Sequence, residues 1–285
     1  MLDSARNFFI TRRLGKSGKY LEAGGVRTYY EEYGRGEPLL MFHGGLSTLE
    51  TFRCQIPELS KHYRLILPER RGHGHTADTP GPYSYRQMAE DMAAFMRAIG
   101  AEGVKAVGYS DGANLIFHLA LNHPSLLGSC VLIGGNFHYE GCTEEHRKEV
   151  QNLPEGGIGE QGVDEKYARY SPDGAGHYPV VFEKIRKLWL SEPTFGEEDI
   201  KKIQTPSLII SGDRDVITMA HTVKLYQALK NAQLLIPPGT THRVIKENAE
   251  FVNRAILDFF KNPVYVNPYE DTHSELLNEE DQTGQ

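Results

Sequence analysis

The 285-residue sequence predicts an α/β fold: a mostly parallel, eight-stranded sheet with helices on both faces and a small helical cap. Three observations carry this. Short runs rich in Val, Ile and Leu alternate with segments of helical periodicity. The later runs are apolar at successive positions rather than every second one, as in "PLLMF", "SCVLI" and "PSLII", so both faces of the sheet are covered. One segment of about sixty residues breaks the alternation, which is the mark of an insertion with structure of its own. The length suits one large domain with a sizeable core.

Taken in order, "KYLEAGGVRTYYEEYG" reads as a hairpin, Lys19–Ala23 and Val26–Tyr33 around Gly24-Gly25. "PLLMFHGG" and "YRLILPERRGHG" are the third and fourth strands, each closed by glycines. From Tyr85 to Ile99, apolar residues recur at helical spacing (Met88, Met92, Phe95, Met96, Ile99), with a stop at Gly100. "GVKAVGYS" is the fifth strand and Asp111–Leu121 the helix after it, ended by "NHP". "GSCVLIGG", "PSLIISGD" and "AQLLIPPG" complete the sheet, with helices at about Ala220–Leu229 and Asn248–Phe260. Between Phe137 and Ile200 no strand pattern occurs. Helices are expected there near Thr143–Asn152 and Tyr178–Leu190, joined by the glycine-rich links "PEGGIGEQG" and "SPDGAG". The expected organisation is a core of residues 19–137 and 200–261, a helical cap over 138–199, an N-terminal extension over 1–18, and an acidic tail over 262–285 expected to be flexible.

Charge and composition narrow the function. The formal charge is −7, and six acidic residues from Glu270 to Asp281 have no Lys or Arg beside them after Asn262, so the body is nearly neutral. No basic stripe exists to hold nucleic acid. Cys54, Cys130 and Cys142 are too few and too scattered for a disulfide framework or a metal site. The two histidines of "HGH", His73 and His75, are too small a set for a metal. Neither a P-loop nor G-x-G-x-x-G at a first strand is present, so no nucleotide loop is expected. No apolar run reaches the length of a membrane span, and no secretory h-region is evident, so the expectation is a cytoplasmic protein without cofactor, acting on a small-molecule substrate. The oligomeric state is left open.

In such a sheet ligands bind beyond the carboxyl ends of the strands. Those ends read His43-Gly44-Gly45, "PERRGHGHT", Gly108-Tyr109-Ser110-Asp111-Gly112, "SGDRD" at Asp215 and "PPGTTH" at His242. Gly-x-Ser-x-Gly between a strand and a helix is a nucleophile elbow: a sharp turn lifts the serine Oγ above the sheet, and the glycines leave room for the crossing. A serine needs a base with a pKa near the working pH, hence His242. The imidazole needs a carboxylate to fix its tautomer, hence Asp215.

With its five motifs in this order, the chain resembles the α/β-hydrolase superfamily from about Lys19 to Lys261. "HGG", "RRGHGHT", "GYSDG", "GDRD" and "GTTH" each match a family pattern, and the order Ser, Asp, His is the family's. The resemblance is to its serine-hydrolase branch, including haloperoxidase-like and biphenyl-hydrolase-like esterases. It implies a serine hydrolase of small-molecule esters or related carboxylic derivatives, with Ser110 as nucleophile, His242 as base and Asp215 as its orienting acid. The family spacing after Gly212 favours Asp215 over Asp213. Backbone N–H groups of Asp111 and of Gly45 (or its neighbour Leu46) are the expected oxyanion donors. Leu46, Tyr109 and Trp189 are the expected substrate contacts, and Phe137, Tyr139, Tyr167, Tyr170 and Phe182 suit either an apolar pocket or the core of the cap.

His43 is expected to position the oxyanion loop. The Asp111 side chain either favours the helix N-terminus or, if turned to the pocket, holds a substrate ammonium or guanidinium. The serine also fits a C–C bond hydrolase, an acyltransferase, a hydroxynitrile lyase or a cofactor-free haloperoxidase-like enzyme, and the fold also serves non-catalytic ligand receptors.

Overall fold

The computed structural model describes residues 13–154, 156–157 and 163–264. Its strands are β1 (Lys19–Ala23), β2 (Val26–Tyr33), β3 (Pro38–Phe42), β4 (Arg64–Pro68), β5 (Val104–Tyr109), β6 (Leu127–Ile133), β7 (Ser207–Ile210) and β8 (Ala232–Leu235). They form one sheet in the order β1-β2-β4-β3-β5-β6-β7-β8. β2 runs antiparallel to β1 and β4, and the other neighbours are parallel. The expected eight-stranded, mostly parallel sheet is therefore present.

That order has a consequence for function. After β3 the chain winds outward to β4, then returns to lay β5 on the other side of β3. The loops leaving β3 and β5 diverge at this switch point and open a crevice between them. His43 and Ser110 are the first residues past these two strands.

The helices are α1 (Ile56–Leu59), α2 (Tyr85–Ala98), α3 (Asp111–Asn122), α4 (Glu144–Gln151), α5 (Val163–Tyr170), α6 (Tyr178–Ser191), α7 (Glu197–Ile200), α8 (Met219–Ala228), α9 (Val244–Glu247) and α10 (Ala249–Lys261). Successive residues of β3 explain why its sequence is apolar throughout. Leu40 and Phe42 pack with Met92 and Phe95 of α2 and Leu115 of α3. Leu39 and Met41 pack on the opposite face with Ile56 of α1 and Val252 and Ile256 of α10. Ser84 caps α2 by accepting from the Gln87 N–H, and Thr218 caps α8 by accepting from that of His221.

The segment between β6 and β7 is helical, as its interrupted rhythm predicts, and it adds α5 and α7 to the two helices anticipated. Val181, Phe182, Ile185 and Leu188 bury one stripe of α6 in the core beside α2 and α3. Two polar anchors hold the segment to core loops. Lys184 Nζ and His177 Nε2 lie 2.7 and 2.8 Å from Asp78 Oδ2. Tyr170 donates to Glu50 Oε1 at 2.8 Å, and Lys166 Nζ lies 2.9 Å from Glu50 Oε2.

Of the expected N-terminal extension, residues 13–18 are described, and they are tied down. The N–H groups of Gly15 and Ser17 donate to the buried Glu31 carboxylate at 3.2 and 3.0 Å. The rest of that extension, and the acidic tail beyond Val264, lie outside the described residues. Among the described residues no helix is long and apolar enough to cross a membrane.

Candidate active site

At the elbow, Ser110 has φ 55° and ψ −121°, a backbone conformation that L-residues avoid. The turn is locked by the Ser110 N–H donating to the Ile133 carbonyl and by its own carbonyl accepting from Ala113, both at 2.8 Å. The flanking glycines are required by closeness. A Cβ on Gly108 would lie 2.4 Å from the Gly112 carbonyl oxygen, and one on Gly112 would lie 2.0 Å from that of Phe42. Neither contact is sterically possible, so α3 crosses β5 and β3 closely only because these residues lack a side chain.

His242, on the loop after β8, places Nε2 3.0 Å from Ser110 Oγ. Its Nδ1 lies 2.8 Å from Asp215 Oδ1. A carboxylate only accepts, so Nδ1 carries the proton and Nε2 is left to accept from the serine hydroxyl. Asp215 also accepts from the Ile217 N–H at 3.1 Å and from Ser211 Oγ at 3.2 Å. Burial alone would raise its pKa. The bond to His242 and these donors outweigh burial and hold the carboxyl below the usual range. Asp213, the competing acid, accepts instead from the Thr240 N–H at 3.0 Å on the exposed side of the loop.

On the other side of Ser110 stands the loop after β3. Leu46 has φ 44°, and among the described residues it and Ser110 are the non-glycine positions with positive φ. Backbone strain is thus concentrated at the two loops that face each other across the crevice. The N–H groups of Gly45, Leu46 and Asp111 make no hydrogen bond among the described residues. A buried scaffold fixes this loop. Arg70 Nη2 donates to the carbonyls of His43 and Gly44 at 3.1 and 2.9 Å. The Arg70 N–H donates to His43 Nε2 at 3.2 Å, and His43 Nδ1 donates to the Gly44 carbonyl at 2.8 Å. Burial, then the nearby Arg70 charge, push the His43 pKa well down, so the ring is neutral. His43 therefore positions the loop, and Arg70 is a participant that sequence reading missed.

The Asp111 side chain is held among Tyr85, Trp189 and Arg70. Its carboxylate is buried, and Oδ1 accepts from Tyr85 OH and from Trp189 Nε1, each at 2.9 Å. Oδ2 lies 3.8 Å from Arg70 Nη2. These groups meet part of its charge inside the protein, while Oδ2 itself is buried without a hydrogen-bond partner. This packing also accounts for Gly45, where a Cβ would lie 2.4 Å from Asp111 Oδ2 and 2.6 Å from the Trp189 ring.

Ser110, His242, Gly45, Asp111, Tyr109 and Trp189 share one cavity of about 440 Å³. Tyr109 also donates to the His242 carbonyl at 3.1 Å. Leu46 lines a separate narrow crevice with His73, Tyr167 and Val181. Of the aromatic residues in the helical segment, Tyr139 and Trp189 line the cavity, whereas Phe137, Tyr167 and Phe182 are buried in the core.

Comparison with known proteins agrees with this architecture. A family model described as alpha/beta hydrolase fold matches residues 37–156, and one described as TAP-like protein matches residues 189–272. A non-heme haloperoxidase of Rhodococcus erythropolis is 27% identical over 272 residues, covering 84% of this chain and 97% of the relative. A 2-hydroxy-6-oxo-6-(2'-aminophenyl)hexa-2,4-dienoic acid hydrolase of Metapseudomonas resinovorans is 26% identical over 264 residues, covering 85% and 90%. The solved structure of a meta-cleavage product hydrolase from Pseudomonas fluorescens is 26% identical, with a TM-score of 0.73 over 86% of this chain and 97% of that one. The chain has the α/β-hydrolase fold. The protein is an enzyme of the hydrolase kind.

Proposed function

We propose that the protein is a serine hydrolase of small-molecule esters or related carboxylic derivatives, working through an acyl-enzyme. The observation that carries this reading is the continuous chain from Asp215 Oδ1 through His242 to Ser110 Oγ, with links of 2.8 and 3.0 Å. Ser110 Oγ attacks the carbonyl carbon while His242 Nε2 takes its proton. The negative charge that develops on the carbonyl oxygen is held by the N–H of Asp111, at the start of α3, and by that of Gly45 or Leu46. Each such donor is worth about 3–4 kcal/mol of transition-state stabilisation. His242 then returns the proton to the leaving group, the tetrahedral intermediate collapses, and a water activated by the same imidazole releases the acid. The helical segment over the crevice acts as a cap that excludes water and selects the substrate.

A second reading, C–C bond hydrolysis, is favoured by the names of two relatives, a dienoic acid hydrolase and a meta-cleavage product hydrolase. Both readings use the same serine. A fluorophosphonate probe is expected to label the wild-type protein at Ser110, and Ser110→Ala is expected to lose labelling together with at least about 10⁴-fold of turnover while remaining folded. Near-normal ester turnover by Ser110→Ala would overturn the mechanism. Product analysis on a p-nitrophenyl ester panel and on a vinylogous diketone acid separates ester from C–C cleavage.

A further inference from the structure

Among the charged side chains of the cavity around Ser110 that the proposed chemistry does not use, one has no ionic partner and a buried orphan donor. Arg147, half-buried on the second turn of α4, lines the same cavity as Ser110 and His242. Its Nε is buried and has no hydrogen-bond partner. Among the described residues it forms no ion pair either. A buried donor without an acceptor is uncommon in folded proteins, and for a guanidinium the imbalance is larger than for a neutral group.

The acidic side chains along the cavity wall contact groups other than Arg147. Asp111 accepts from Trp189 and Tyr85 and lies 3.8 Å from Arg70. Glu144 pairs with Lys148 at 2.6 Å. Glu192 accepts from the Tyr85 N–H at 2.9 Å. Among the described residues none of these carboxylates forms an ion pair with Arg147. Elsewhere on the helical segment the same residue type is satisfied: Arg186 grips Glu183 through Nε and Nη2 at 2.9 and 3.2 Å. The planar guanidinium edge, Nε with one Nη, fits the two oxygens of a carboxylate.

We infer that Arg147 forms a carboxylate-binding subsite of this cavity, and that the substrate carries an ionised carboxylate in addition to the carbonyl attacked by Ser110. The inference rests on the serine-hydrolase reading and specifies its substrate class. With about 440 Å³ available, the cavity accommodates a small acid-bearing ester rather than a long lipid chain.

Two matched pairs of esters test it. In one, the charge is on the acyl side: mono-p-nitrophenyl glutarate against p-nitrophenyl valerate. In the other it is on the leaving group: 4-acetoxybenzoate against phenyl acetate. In the Arg147→Met variant, the charged-to-neutral ratio of kcat/KM is expected to fall about 10- to 100-fold for one pair, chiefly through KM, and Arg147→Lys is expected to recover part of it. The pair that responds shows which side of the scissile bond faces Arg147. Free glutarate is expected to slow fluorophosphonate labelling of the wild-type protein and to have little effect on Arg147→Met, a readout that needs no turnover. Ratios changed less than twofold in both pairs, with no protection by glutarate, would overturn the subsite. Absence of labelling at Ser110 in the wild-type protein would instead remove the serine-hydrolase reading itself, so the two failures are distinguishable.

Discussion

At Asp215 and Asp213, two carboxylates two residues apart face different surroundings. Asp215 is enclosed, receives Ser211, Ile217 and His242, and is held ionised below the usual carboxylate range. Asp213 is exposed and braces the loop through Thr240. Asp215→Asn is expected to remove about 10⁴-fold of kcat by favouring the wrong imidazole tautomer. Asp213→Asn is expected to stay within about tenfold, since it loses one loop hydrogen bond. Measured kcat in the reverse order would move the acid to Asp213. The choice between them was legible in the sequence only as a spacing after Gly212. Residues that carry chemistry in a linear motif, such as Ser110 and His242, were readable that way. Arg70 and Arg147 were not, because their significance lies in what surrounds them: two loop carbonyls for one, and the lack of any acceptor for the other.

Among the elements, strands and long helices were legible to within a residue or so. The helix expected over Ala220–Leu229 is Met219–Ala228, and that over Asn248–Phe260 is Ala249–Lys261. Their apolar stripes are long enough to show a period. The four-residue helices α1, α7 and α9 are too short for one, and α5 reads as a polar run. What no periodicity reveals is that α6 is joined to the elbow. Trp189 Nε1 donates to Asp111, whose own N–H is the proposed oxyanion donor. On the proposed mechanism the helical segment would then act on the chemistry as well as on substrate choice. Trp189→Phe keeps an aromatic ring on the wall and removes that donor, and it is expected to lower kcat about 3- to 30-fold, the equivalent of part of one charge-assisted hydrogen bond. Trp189→Ala is expected to reorder the ester panel as well, by the modest factors that apolar contacts allow. A wild-type kcat for Trp189→Phe would mean that the ring is only a wall of the pocket.

Over the whole molecule, several histidines are folded in as neutral, accepting groups, and this sets how the protein responds to acid. His43 Nε2 accepts from Arg70 N–H, and His221 Nε2 accepts from Phe137 N–H at 3.1 Å while stacking on the Phe137 ring. Burial pushes His221 down to about 4 and, with the Arg70 charge, His73 down to about 3. Protonation would abolish the acceptors of His43 and His221 and, at all three rings, leave a charge in the core. The sign follows from linkage. Where the folded-state pKa is depressed, the unfolded chain takes up the proton first, so stability is full above about pH 6.5 and declines as pH falls toward the folded-state value. Between pH 7 and pH 5 each such histidine is expected to remove about 1–2 kcal/mol. Asp215 acts lower in the scale: its depressed pKa contributes stability above about pH 4 that is lost only below it. Urea denaturation at pH 7, 6 and 5 is therefore expected to show a falling midpoint at constant slope. His221→Gln, which retains a side-chain acceptor without titrating, is expected to start less stable than the wild type at pH 7 because it loses the ring stack, yet to lose less between pH 7 and 5. An unchanged wild-type midpoint over that range would show that these rings are not held neutral by the fold. An identical pH slope in His221→Gln would place the acid sensitivity at the other rings that burial holds down, His43, His73, His118 and His146.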